Sequence, residues 1–179
     1  GNGKGQFRQP DYKDSVARSG WSWGVSHFDF GNDGRLDFYV ANGHRSGETC
    51  KDYCTRFWTH DVYVAKTDSQ EKLLKVFDLE LNEWSDTSWN GYEKNHFFIN
   101  SGGDRYSNAA FPLDVAFEYD SRTVVSEDFD GDGRVDLLVT QDLGEGGNYR
   151  PHLYRNTWTE NGNWIGIRLR PGKKVTEAG

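Results

Sequence analysis

Short apolar runs broken by clusters of Gly, Asn and Asp dominate the chain. Thr123-Val124-Val125-Ser126 and Leu137-Leu138-Val139 read as strands on either side of one such cluster. Val25-Ser26-His27-Phe28 and Phe38-Tyr39-Val40 flank another in the same way. Phe97-Phe98-Ile99 is a further short strand, followed by the turn Asn100-Ser101-Gly102-Gly103 and then Tyr106. One segment departs from this pattern. Thr67-Asp68-Ser69-Gln70 has capping-box form, and the following Glu71–Phe77 places Leu73, Leu74 and Phe77 on one face of a predicted helix, read as packing on the sheet rim, with a partner surface as the alternative. No run approaches the roughly 20 apolar residues of a membrane span. The pattern predicts an all-β protein with one helical insertion.

The two Asp-rich clusters carry the chemistry. In Asp128-Phe129-Asp130-Gly131-Asp132-Gly133-Arg134-Val135-Asp136, four carboxylates fall within nine positions. Such density of like charge calls for a counter-ion. Ca²⁺ takes six to eight oxygens at about 2.3–2.6 Å. Asp128, Asp130 and Asp132 supply side-chain oxygens at positions 1, 3 and 5, the carbonyl of Arg134 supplies position 7, and Asp136 closes the loop. Gly131 and Gly133 permit backbone conformations that bulkier residues resist. An EF-hand is excluded, because position 12 is Val139 rather than Glu and the flanks are strands. An acidic surface turn that binds nothing is the bland alternative, although a turn needs only one or two Asp.

The loop recurs 99 residues earlier. Asp29, Asp33, Arg35 and Asp37 match Asp128, Asp132, Arg134 and Asp136, while Gly31 stands in place of Asp130. Two Ca²⁺ sites are expected, the one at Asp29–Asp37 weaker for want of a carboxylate. A strand-and-turn element recurs as well. Asn2 precedes Asp29 by 27 positions and Asn100 precedes Asp128 by 28. Asn100 and Asn156 lie 56 apart, but Asn2 and Asn100 lie 98 apart, so the first repeat carries roughly 42 additional residues after its loop, about Arg45 to Asp86. A period near 56 with several short strands per unit predicts blades of a β-propeller, about three of them, a partial propeller with a decorated first repeat.

The Asp-rich loops resemble the calcium-binding repeats of the FG-GAP/VCBS type found in integrin-α-like propellers. Trp21-Ser22-Trp23-Gly24 and Ala41-Asn42-Gly43-His44 around the first loop, with Ser88–Glu93 and Asp120-Ser121-Arg122, are similar to the repeats that precede an ASPIC/UnbV domain in secreted bacterial proteins and cartilage acidic protein. Asn163–Leu169 resembles the opening strand of that domain. The expected organisation is propeller-type blades over residues 1–157 and the start of an ASPIC/UnbV-like segment over 158–179. The resemblance implies a secreted or cell-surface setting and a non-enzymatic scaffold that binds proteins, glycans or copies of itself, the last through open sheet edges. The chain begins within a repeat, so a longer polypeptide or neighbouring chains are expected to complete the sheets. In an extracellular setting Cys50 and Cys54 are expected to form a local disulfide. Free thiols, and a redox pair or a metal site with His44 and His60, stay open beside it.

Composition narrows the partners. The net charge is −7, and two Ca²⁺ ions take it to about −3. No basic stripe suits duplex nucleic acid. Twenty-one Gly and 15% aromatic residues fit a turn-rich β protein whose Trp, Tyr and Phe supply most of the buried surface. Trp58, Trp84 and Trp89 are candidates for stacking on sugars, though blade packing accounts for most Trp. The chain has no nucleophile elbow, zinc-protease motif or phosphate-binding loop, and is not expected to be an enzyme. The alternative is a module of a secreted carbohydrate-active enzyme, for which Glu93, Glu118 and Glu145 are the carboxylates left over.

Overall fold

The apolar runs pair into two antiparallel meanders, one per repeat. The structure is a computed structural model, and it describes residues 3–7, 9–52, 88–103, 105–144, 147–167 and 169. The first sheet joins β1 (Ser22–Phe28), β2 (Asp37–Asn42), β3 (His96–Asn100) and β4 (Tyr106–Asn108) in chain order. The second joins β5 (Ser121–Glu127), β6 (Asp136–Asp142) and β7 (Tyr149–Tyr154), also in chain order. Among the described residues the only helix is a single turn, α1 (Lys13–Val16). The described residues are thus mostly β, and the two sheets among them do not close into a ring. The helix expected at 67–77 lies outside the described residues, as do Trp58, Trp84 and His60.

Register confirms the repeat offsets in three dimensions. Phe28 pairs with Asp37 and Glu127 with Asp136, so each Asp-rich loop connects the first two strands of its sheet. Phe38 pairs with Phe98, and Leu137 with Tyr154, which reproduces the 56-residue spacing on the third strands. β2 is central in its sheet, and from Tyr39 to Asn42 every residue is buried, which explains its continuous rather than alternating apolar run. β5 lies at an edge and alternates, with Val124 buried and Val125 exposed.

One core serves both sheets. Phe28, Tyr39, Ala41 and Phe97 from the first meet Val124, Leu137 and Val139 from the second, with Ala110 after β4. The rings of Phe28 and Phe97 stack with centroids 5.6 Å apart. Each fully buried side chain of this size contributes about 1.5–3 kcal/mol. The sheets approach along β1 and β5, which run side by side in the same direction. The Ser26 and Ser126 hydroxyls lie 2.6 Å apart, and a Cβ on Gly24 would stand 2.8 Å from the Arg122 carbonyl oxygen.

At the end of the sheets away from the Asp loops, a buried amide takes the place of apolar packing. Asn95, fully buried, accepts from Asn42 N–H at 2.8 Å and donates to the Tyr39 hydroxyl at 3.1 Å and Ser121 Oγ at 2.9 Å. The Tyr39 hydroxyl in turn donates to the Val115 carbonyl at 2.9 Å. Burial holds that phenol well above its ordinary range, so it stays a donor. The network ties β2, β5 and the start of β3 together.

Candidate metal centre

Both Asp loops are built from left-handed backbone at two matched positions. Asn32 and Gly131 occupy position 4 with φ of 51° and 78°, and Gly34 and Gly133 occupy position 6 with φ of 83° and 86°. Asn is among the few non-glycine residues that tolerate this region. The resulting turn points backbone N–H groups inward at the first aspartate. Asp29 accepts from Asp33 N–H at 2.9 Å and Gly34 N–H at 2.7 Å. Asp128 accepts from Gly131 at 2.7 Å, Asp132 at 3.1 Å and Gly133 at 2.8 Å.

The last aspartate of each loop is a strand stitch. Asp37 is buried, with Oδ2 accepting from Phe30 N–H at 2.9 Å and Oδ1 from Asn100 N–H at 2.8 Å. Asp136 repeats this with Phe129 at 3.2 Å and Asn156 at 2.7 Å. Each carboxylate therefore ties the start of a second strand to the exit of the third. Burial raises the Asp37 carboxyl above the usual range, with the two backbone donors pulling the other way.

The middle aspartates face arginines. Asp33 Oδ1 accepts from Arg35 N–H at 2.9 Å while Oδ2 meets the Arg35 guanidinium. Asp132 accepts from Arg134 N–H at 3.0 Å, and its Oδ2 meets the guanidinium groups of Arg134 and, at 3.1 Å, Arg155. Partial desolvation pushes the Asp132 carboxyl up, but the Arg134 N–H and the two guanidiniums outweigh it and hold the carboxyl below its ordinary value. Arg35 and Arg134 also donate through Nε to the carbonyls of Asn100 and Asn156, at 3.1 and 2.9 Å. Like-charge repulsion within the loops is thus relieved in part by N–H donors and guanidiniums.

In the second loop, carboxylate oxygens of Asp128, Asp130 and Asp136 lie within 4.8 Å of one another. An all-oxygen, all-anionic set at this spacing fits a hard divalent cation. Asp132 is outside that group, turned to its arginines. Among the described residues no such group forms in the first loop, where Gly31 offers no side chain. The loops abut: Asn32 Nδ2 donates to the Gly133 carbonyl at 2.9 Å. Residues 155–167 carry no strand, against the expectation of one beginning within Asn163–Leu169, and several of them reach the two loops. Asn156 Nδ2 donates to the Phe30 carbonyl at 3.3 Å, Gly162 N–H to Gly31 at 2.8 Å, and the Trp164 ring lies against Gly133.

Other sequence candidates occupy structural positions. Glu93 accepts from Trp21 N–H at 2.6 Å and Asn90 Nδ2 at 3.2 Å, and Glu118 pairs with Lys94 at 2.8 Å. His44 sits among the rings of Trp21, Trp23 and Trp89. Cys50 is exposed, while Cys54 and Glu145 lie outside the described residues. The residues missed by motif reasoning are Arg155 and Asn32. Both lie beside recognised positions, but only folding reveals that they touch the second loop. No protein-family model matches the chain, and no curated protein or solved structure is significantly similar to it.

Proposed function

We propose that the chain is a calcium-binding, non-catalytic β scaffold of FG-GAP/VCBS propeller type, acting in an extracellular setting as a platform for protein, glycan or self-association. The observation that carries the reading is the convergence of Asp128, Asp130 and Asp136 oxygens at the mouth of a strand–loop–strand unit. Two meander sheets with an Asp-rich loop between their first and second strands support the blade assignment. Asp128, Asp130 and Asp136 would hold the ion, which supplies a multidentate cross-link and no chemistry of bond breaking. Asp136 already joins β6 to the exit of β7, so loading its loop would stiffen the whole sheet rather than one turn. The first loop would bind more weakly. The structural engagement of Glu93 and Glu118 supports the non-catalytic assignment. Calorimetric calcium titration tests the proposal: Asp128→Ala is expected to abolish the tighter site and Asp29→Ala to leave it, and the reverse outcome overturns the ranking.

A further inference from the structure

We propose that Arg155 is the resident counter-cation of the second loop and sets how tightly that loop takes calcium; this rests on the calcium reading above. Arg155 Nε meets Asp130 Oδ2 at 2.5 Å, and its terminal nitrogen meets Asp132 Oδ2 at 3.1 Å. One guanidinium thus spans positions 3 and 5. The other oxygen of Asp130 accepts from Asp132 N–H at 3.1 Å, so both Asp130 oxygens are engaged. Asp130 is also one of the three carboxylates that converge. Presenting Asp130 to a dication requires the guanidinium to withdraw, because the two cations repel at such separations.

The first loop supplies an independent comparison. Where the second has Asp130, it has Gly31; where the second has Arg155, it has Ile99, which packs against the core. The anion and the cation are absent together. Four carboxylates with Arg134 and Arg155 give the second loop a net −2, and three with Arg35 give the first loop the same −2. The extra aspartate is therefore matched by its own arginine, and the second loop's advantage is smaller than its carboxylate count implies.

The geometry also allows release. The Arg155 side chain is 59% exposed, so water accepts the displaced guanidinium. Its backbone neighbours stay fixed, with Tyr154 in β7 and Asn156 N–H held by buried Asp136. Only the side chain needs to move.

Calcium titration of the full chain at low ionic strength tests this. Arg155→Gln is expected to tighten the second site about threefold to tenfold, the scale of losing weak exposed ion pairs. Arg155→Lys keeps the charge but not the two-pronged bridge and is expected to fall between wild type and Arg155→Gln. Arg150→Gln, on β7, controls for long-range charge and is expected to stay within about twofold. In an Asp130→Asn background the gain from Arg155→Gln is expected to shrink, because the pair acts as a unit. Equal affinities for Arg155→Gln and Arg150→Gln would overturn the role of Arg155 while leaving the calcium reading intact. No calcium binding by wild type or any variant would overturn both.

Discussion

Asp136 has a structural role that a metal-ligand reading alone would miss. It is buried, and both oxygens accept backbone N–H groups. Replacing it by Ala strands two donors, at about 1–3 kcal/mol each. Asp136→Ala is expected to lose about 2–4 kcal/mol of stability even in chelator, measured by urea denaturation, whereas Asp130→Ala, exposed and paired with Arg155, is expected to lose under about 1 kcal/mol there. Two histidines add a pH dependence. Burial lowers the His96 imidazole, offset in part by Glu93, and burial followed by repulsion from Arg150 lowers His152. The fold favours their neutral forms, whereas unfolded histidines take up protons near 6.5. Stability is therefore present above that value and drains as pH falls toward the depressed folded values. The thermal midpoint in chelator is expected to drop between about pH 7.5 and 5.5, with a shallower slope in a His96→Gln, His152→Gln variant. The convergence of Asp128, Asp130 and Asp136 was legible because it is local in the chain, whereas the turn of Asp132 toward its arginines was not. Nor was Arg155, since its partners lie 23 and 25 positions away and nothing in Leu153–Asn156 announces them.

At the scale of elements, each strand around an Asp loop was legible from its run of β-branched and aromatic residues, and the 99- and 56-residue offsets correctly equated β1 with β5, β2 with β6 and β3 with β7. The approach of the two sheets was hidden, because it depends on what Gly24 lacks. That glycine lets β1 reach the β5 backbone, where an added Cβ would meet carbonyl oxygen rather than a movable side chain. Gly24→Val is expected to cost about 1–3 kcal/mol by forcing the strands apart, visible as a lower denaturation midpoint in both chelator and calcium. The Asn95 hub was equally silent in the sequence. An Asn between Lys94 and His96 carries no pattern, and its importance comes from Tyr39, Asn42 and Ser121, all distant along the chain.

At the scale of the molecule, the all-β class was readable from turn density and strand length, while the relation between sheets required the shared core and the contacts of residues 155–167 with both loops. β4 and β7 are the outermost strands of their sheets, with no further strand beside them among the described residues. Size-exclusion chromatography with and without chelator reads the assembly proposal: calcium-dependent species above the 20.5 kDa monomer are expected, and a monomer under both conditions counts against self-association. The connection between second and third strands runs through residues 43–95 in one sheet and 143–148 in the other, yet both retain the same register and the same aspartate-to-exit bond. Connections of very different length thus leave the stitched frame unchanged. Because the stitch fastens the opposite end of the strand pair, cargo grafted into the link between β6 and β7 is expected to leave the register of the Asp loop intact.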